Sequence, residues 1–131
     1  MENLAAVTFK PIGWIESPFT DTRDMPRFYS ESGETTATLH VLPEFTDGLM
    51  GVTEGMELLV IFHINQSKDK ALQVYKRGTG PLTGVFATRS PRRPNPIGVS
   101  TITVEEINGS DILFTGVDML NGTPVLDIKS L

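Results

Sequence analysis

The stretch VSTITVEEINGSDILFTGV, residues 99–117, decides the fold class of this chain. In its first half, apolar Ile102 and Val104 alternate with threonines, which is the two-residue period of a strand with one buried face. Asn108-Gly109 then separates two β-prone runs, and this dipeptide is the strongest short-range signal for a hairpin. The stretch therefore predicts an antiparallel β-hairpin from 99 to 117.

Other short runs have the same character. Runs rich in β-branched and aromatic residues cover 7–15, 35–42, 58–64 and 84–88, and glycine or proline recurs about every ten positions. The run 58–62 has no polar face, which predicts a strand covered on both sides, in the centre of a barrel or under a partner subunit. One short helix is expected from about 44 to 52, after Pro43. The pattern predicts a small, single-domain, mainly all-β antiparallel barrel or sandwich.

The composition excludes several classes of protein. With 39% hydrophobic residues, 21% charged residues and no cysteine, the chain is neither a disordered protein nor a disulfide scaffold. No apolar run reaches the roughly 18 residues of a membrane span, and the N-terminal residues lack the pattern of a signal peptide. We therefore expect a soluble, cytoplasmic protein. His40 and His63 lie in strand-like runs without ligands at zinc spacing, so no metal site is expected.

The charge of the chain is unevenly distributed. The formal net charge is −5, yet seven of the eleven basic residues lie in the window 68–93, which contains a single acid. That window carries a net charge of +6, and the rest of the chain carries −11. Such a window is either a solvated loop or a surface that binds phosphates, and charge alone leaves both open.

A rigid loop follows the run 84–88. Prolines at 91, 94 and 96 fix φ and bias the residues before them toward extended conformations. The loop therefore has little conformational entropy to lose on binding. Its polar side chains include Arg89, Arg92, Arg93 and Asn95. Preorganised arginines suit an anionic ligand, although a stiff crossover with surface arginines would have the same sequence.

The end of the chain contains a second polar turn. In DMLNGTPVLDIK, residues 118–129, the turn Asn121-Gly122 lies between Asp118 and Asp127. The side chains of Asp118 and Asn121 suit hydrogen bonds to ribose hydroxyls or to an adenine edge. Capping of the turn by short polar side chains is an equal alternative.

Several segments together resemble one known family, the YaeB/TsaA-like or TrmO-type tRNA methyltransferases. GVFATRSPRRPNPIGVS at 84–100 resembles the family signature G-V-F-A-T-R-S-x-x-R-P-N-P-I-G, and residues 118–129 resemble its ending D-x-x-[DN]-G-T-P-V-x-D-I-K. IGWIESPF at 12–19 and Met25-Pro26-Arg27 are similar to its I-G-x-I-x-S-P-[FY] and x-P-R elements, and Phe62-His63 is a further landmark. The resemblance covers nearly the whole chain.

The resemblance implies one domain over residues 1–131, a small β-barrel that acts as a homodimer with its cofactor pocket near the interface. It implies binding of S-adenosylmethionine and methyl transfer to N6 of N6-threonylcarbamoyladenosine at tRNA position 37, in the anticodon loop. Carried over position by position, the cofactor pocket comprises Pro26, Arg27, Phe28, His63, Ile64, Arg89, Met119, Leu120, Asn121 and Gly122, to which we add Phe86 and Asn95.

The chemistry of the implied reaction suits these residue types. The Arg89 guanidinium suits a bidentate pair with the methionine carboxylate, and the rings of Phe28 and Phe86 suit the positive sulfonium. Direct displacement needs alignment rather than a covalent intermediate, and the acceptor's proton would go to His63, Asp127 or water. The residues expected to contact RNA are Lys76, Arg77, Arg92 and Arg93.

The sequence also departs from the pattern of many members. Glu16 stands where they carry Arg, Phe28 where they carry Gln, and Ile64 after His63 where they carry Gln. The sequence ends at Leu131, which predicts a short form without the C-terminal extension of longer bacterial members. A different methyl acceptor, or a non-catalytic cofactor- or RNA-binding barrel, is therefore kept as an alternative.

Overall fold

A computed structural model describes residues 4–21 and 35–131. The strands are β1 (Gly13–Glu16), β2 (Thr36–Val41), β3 (Glu57–His63), β4 (Gln73–Tyr75), β5 (Leu82–Gly84), β6 (Ile97–Asn108), β7 (Asp111–Thr115) and β8 (Pro124–Ser130). Short 3₁₀ helices cover Pro43–Leu49, Lys76–Gly78 and Val85–Ala87. Within these two ranges, no helix is long and apolar enough to cross a membrane.

Six of the strands form one closed ring of antiparallel pairs. The order is β1-β2-β7-β6-β3-β8, and β8 pairs with β1 to close the barrel. β4 and β5 form a separate two-stranded hairpin. The prediction of a mainly β, antiparallel fold is confirmed.

The hairpin expected at 99–117 is the β6–β7 pair. Asn108 lies opposite Asp111, so the connection is a two-residue turn, and Gly109 has the positive φ of 62° that this turn requires. The register shifts between Val104 and Glu106, where one extra residue is inserted into β6. β6 is long because its first half pairs with β3 and its second half with β7.

The barrel interior is apolar because alternate residues of each strand point inward. On β3 these are Leu58, Val60 and Phe62, while Leu59 and Ile61 are half-buried on the outer face. The interior cluster contains Ile15, Ala37, Leu39, Val41, Leu58, Val60, Phe62, Ile102, Val104, Ile112, Phe114, Val117, Met119 and Val125. No buried side-chain nitrogen or oxygen in the described ranges lacks a hydrogen-bond partner.

Three local expectations differ from the structure. The run 84–88 is not a strand, because β5 ends at Gly84 and a 3₁₀ turn follows, closed by the Thr88 amide donating to the Val85 carbonyl at 3.0 Å. The helix after Pro43 is a 3₁₀ helix rather than an α-helix, and it ends at Leu49. The strand expected at 7–15 is confined to 13–16, since the segment before it exposes its apolar side chains.

Candidate functional site

The proline-containing loop at 88–96 is held by its own arginine. Arg93 Nη1 donates to the carbonyl oxygens of Thr88 and Ser90, each at 3.1 Å. The Thr88 hydroxyl in turn accepts the Ser90 amide at 3.1 Å. The Arg93 side chain thereby braces the loop from within, and the loop's rigidity comes from this guanidinium as well as from the prolines.

The segment 64–70 holds the same loop from outside. Lys70 Nζ donates to the Pro94 carbonyl at 2.7 Å, and the Ser67 hydroxyl donates to the Pro91 carbonyl at 3.0 Å. The Ile64 amide donates to the Pro96 carbonyl at 2.7 Å. Part of the basic window therefore serves the structure of the loop rather than a phosphate ligand.

A second wall is formed by residues 117–123. The Asn121 Oδ1 accepts the Ser17 amide at 3.1 Å, and the Asn121 amide donates to the Phe19 carbonyl at 2.7 Å. The Gly122 amide donates to the Ile15 carbonyl at 2.7 Å, with Gly122 at φ 86°. These bonds tie the turn to the segment 15–19. The expected site residues Pro26, Arg27 and Phe28, with Met25, lie outside the described residues.

Between these walls, at the end of the barrel where β3 ends and β6 begins, lies an open cleft of about 1470 Å³. The β4–β5 hairpin and the turn after it close one side. The cleft brings together eight of the residues expected at the site. They are Ile64, Phe86, Arg89, Met119 and Leu120 from the cofactor set and Lys76, Arg77 and Arg93 from the RNA set.

Other expected residues do not line this cleft. His63 is exposed at the end of β3, between the lining residues Phe62 and Ile64. Asp127 lies on the outer side of β8, where its Oδ2 is 3.0 Å from Lys129 Nζ. The others outside the lining are Arg92, Asn95, Asn121 and Gly122.

Arg89 differs from its neighbour Arg93 in its contacts. Its side chain is exposed in the cleft and makes no hydrogen bond to any residue the structure describes. A guanidinium on a braced loop has five donors in a fixed fork, which matches a carboxylate or a phosphate. Phe86, 79% exposed, presents an aromatic surface to the same cleft.

The cleft also contains a pair of residues that the sequence did not reveal. The buried Ser100, on β6, donates its hydroxyl hydrogen to Asp118 Oδ1. Burial raises the pKa of Asp118, while the Ser100 hydrogen bond, the backbone of Asp118 and the charge of Arg89 act in the opposite direction. Asp118 stood out only as a partner for ribose or adenine, and Ser100 not at all, because their pairing depends on the path of the chain after β7.

The cleft presents side chains of several chemical kinds. No three His, Asp or Glu side chains in 4–21 and 35–131 are grouped so as to hold a metal ion. The cleft offers the Arg89 guanidinium, which has no hydrogen bond among the described residues, the half-buried Asp118 carboxyl and apolar side chains such as Met119. This combination suits a small ligand that carries both a carboxylate and an apolar part.

Comparison with known proteins adds a family and several relatives. Residues 14–131 match the tRNA-methyltransferase O N-terminal domain family. A probable S-adenosyl-L-methionine-binding protein of Pyrococcus abyssi is 41% identical over 123 residues, 94% of this chain and 67% of that protein. A tRNA (adenine(37)-N6)-methyltransferase of Rattus norvegicus is 37% identical over 127 residues, 92% of this chain and 30% of that protein.

A solved structure has the same fold. The crystal structure of TrmO from Pseudomonas aeruginosa is similar with a TM-score of 0.79 at 32% identity, over 97% of this chain and 56% of that chain. This chain therefore spans a little over half the length of that structure and less than a third of the rat enzyme.

Proposed function

Since the chain belongs to the tRNA-methyltransferase O N-terminal domain family, we propose that it is an S-adenosylmethionine-dependent methyltransferase acting on N6 of adenine 37 in tRNA. The observation that carries the proposal is the cleft with Arg89 in it. Arg89 is exposed there without a hydrogen bond among the described residues, on a loop that Arg93 braces. Relatives named as S-adenosyl-L-methionine-binding proteins and as tRNA methyltransferases support the same reading.

The residues of the cleft fit the cofactor. The Arg89 guanidinium would hold the methionine carboxylate, and Met119 and Leu120 would pack against the adenosine part. S-adenosylmethionine supplies a methyl group activated by a positively charged sulfur. The rim beside Phe86 and the turn at Lys76 and Arg77 would receive the RNA, whose phosphates these cations attract.

We extend the proposal to the finer points that the resemblance implied. The acceptor is N6-threonylcarbamoyladenosine, the enzyme works in the cytoplasm, and it is a homodimer whose second copy completes the open cleft. The half-buried outer residues Leu59 and Ile61 on β3 support an outer face that a second copy covers. A monomer by light scattering that still binds the cofactor tightly would contradict the dimer.

The test of the reaction is incubation of the purified protein with labelled S-adenosylmethionine and total tRNA, prepared with and without the threonylcarbamoyl group. We expect a methylated nucleoside by mass spectrometry only in the threonylcarbamoylated tRNA. Methylation of unmodified adenosine would give a different acceptor, whereas cofactor binding without product would favour a non-catalytic binding module, as the names of several relatives allow.

The test of the site is the substitution Arg89→Ala, with Arg92→Ala as the matched control from the same loop. Loss of a charged hydrogen-bond pair of about 1.5–3 kcal/mol lowers cofactor affinity by roughly 10- to 100-fold. Arg92 is exposed and does not line the cleft, so its substitution should leave cofactor affinity unchanged and weaken only RNA binding. Calorimetry measures both affinities. Equal losses of cofactor affinity in both variants would contradict the assignment.

His63 and Asp127 stay predictions as the groups that take the acceptor's proton. His63 ends β3 beside the cleft, and Asp127 faces outward next to Lys129. The variants His63→Gln and Asp127→Asn test these two roles when kcat is measured at several pH values.

A further inference from the structure

We infer that the Asp118 carboxylate, positioned by Ser100, takes the proton from the acceptor nitrogen during methyl transfer. This inference rests on the proposed function, because it concerns a step of that reaction. Asp118 is the only carboxylate among the described residues that line the cleft, and no histidine lines it. A proton acceptor must lie within reach of the acceptor nitrogen in the cleft, either directly or through one water.

The surroundings of Asp118 suit this role. Ser100 shares the inward side of β6 with Ile102 and Val104, so its hydroxyl reaches the carboxyl from the barrel end of the cleft. The adjacent Met119 is buried in the barrel interior. The carboxyl therefore lies at the border between the apolar interior and the open cleft, where its orientation is fixed by the Ser100 hydrogen bond.

Opposing influences act on the pKa of Asp118, and the upward one is the larger. Burial raises the pKa of the carboxyl, which makes the carboxylate a better proton acceptor. The Ser100 hydroxyl, the Asp118 backbone and the Arg89 charge act in the opposite direction, so the pKa is raised overall but by less than burial alone would raise it. A base is most effective when its pKa lies close to the working pH, and opposing influences of this kind bring a carboxyl toward that condition.

The acceptor nitrogen forms a bond to the methyl carbon while the bond from that carbon to sulfur breaks, and the electron pair of the broken bond stays on sulfur. The N–H becomes strongly acidic as the nitrogen loses electron density, and its proton goes to the Asp118 oxygen that Ser100 does not bond. The carboxyl then loses the proton to water when the product leaves.

The primary test is Asp118→Asn, which keeps the shape of the side chain and its ability to accept the Ser100 hydrogen bond. We expect kcat to fall by about 10²- to 10⁴-fold, the usual contribution of a general base. Cofactor affinity by calorimetry should stay within roughly twofold, and thermal unfolding should remain cooperative. Asp47→Asn, an exposed carboxylate on the 3₁₀ helix Pro43–Leu49, is the matched control and should change none of these quantities.

Ser100→Ala tests the positioning role separately. Without the hydroxyl the pKa of Asp118 rises further, so the acidic limb of the kcat profile should move to higher pH. The carboxyl carbon of Asp118, followed by NMR in the protein without cofactor, should titrate at higher pH in the same variant. A merely structural serine would alter stability and move neither titration.

Four outcomes would overturn the inference. A loss of cofactor affinity in Asp118→Asn would make the carboxylate a cofactor ligand instead. An unchanged kcat in that variant, or an acidic limb that disappears in His63→Gln, would place the base elsewhere. Wild-type protein that binds the cofactor but methylates no tRNA would refute the proposed function, and the inference would fall with it.

Discussion

Phe114 and Phe86 are the same residue in two different regions of the molecule. Phe114, on β7, is fully buried in the barrel interior, whereas Phe86, in the turn after β5, is 79% exposed at the cleft. The interior is lined by apolar side chains packed on one another. The cleft beside it exposes aromatic and cationic side chains and contains the hydrogen-bonded carboxyl of Asp118.

Stability and ligand binding depend on different regions of this chain. Burial of apolar area stabilises the barrel, since each large interior side chain contributes on the order of 1.5–3 kcal/mol. Exposed rings at the cleft contribute no comparable stabilisation to the fold, so their presence there indicates a surface that binds a ligand. The barrel serves as the rigid support from which the loop 88–96 and the turn 118–123 project.

A substitution in the barrel interior should lower the stability most. Phe114→Ala removes a fully buried ring and should lower the free energy of unfolding by about 3–5 kcal/mol. Phe86→Ala should change it by less than about 0.5 kcal/mol and should instead weaken ligand binding. Urea unfolding followed by tryptophan fluorescence measures both. A large stability loss in Phe86→Ala would show that the aromatic surface at the cleft belongs to the fold.

A smaller effect is expected where the two regions meet. Gly98 lies opposite Phe62 in the β3–β6 pair, and a Cβ at 98 would lie 2.5 Å from the Phe62 ring. Gly98→Ala must therefore displace that ring, at a cost of about 1–3 kcal/mol. Because both residues line the cleft, cofactor affinity should fall in the same variant.

Gly48→Ala is the control for that substitution. Gly48 lies in the 3₁₀ helix Pro43–Leu49, and a Cβ there would meet nothing within 4 Å. Its substitution should leave stability unchanged or raise it by about 0.4–1 kcal/mol, because the unfolded chain loses freedom. If Gly98→Ala were as well tolerated as Gly48→Ala, the ring of Phe62 would have space that the structure does not show.

The barrel strands could be predicted from the sequence because they are encoded by short, local sequence patterns. Alternation at Ile102 and Val104 and the Asn108-Gly109 turn predicted the hairpin, and both are confirmed in β6 and β7. The run at 84–88 misled because its β-prone residues form a 3₁₀ turn, with the exposed Phe86 facing the cleft. The residue types favour a strand there, but the contacts at the end of the barrel outweigh this β propensity.

The candidate site could be predicted only in part from the sequence. Motif resemblance pointed to Arg89 and to the turn at 119–122, and the structure places Arg89, Met119 and Leu120 at one cleft. The bond between Ser100 and Asp118 joins residues on different segments, and nothing in the residue types indicates that they meet. Asn121 was expected to bind the cofactor, yet its side-chain oxygen accepts the Ser17 amide.

The outer face of the barrel is a third kind of region, and substitutions there should change stability least. His40 on β2 stacks on Trp14, with ring centroids 4.4 Å apart. Its Nε2 is 2.7 Å from Glu16 and its Nδ1 is 2.8 Å from Asp111. Glu16 thus supplies one of the two acidic partners of His40.

We expect this cluster to make stability depend weakly on pH. Burial lowers the pKa of His40, but the hydrogen bonds and charges of Glu16 and Asp111 outweigh it, and the pKa is raised overall. A raised pKa in the folded state stabilises the protein fully below the ordinary histidine pKa of about 6.5, and this stabilisation is lost as pH rises through the folded value. For partly exposed partners the gain is about 0.2–1 kcal/mol.

The measurement is the free energy of unfolding of the wild type and of His40→Gln between about pH 5.5 and 8.5. The wild type should be the more stable of the two at the acidic end, and the difference should shrink as the imidazolium loses its proton. Asp111→Asn removes one acidic partner and should lower the pH at which the difference disappears. A difference that grew with pH would mean that burial, and not the two carboxylates, dominates at His40, and the outer face would then resemble the interior more than the cleft.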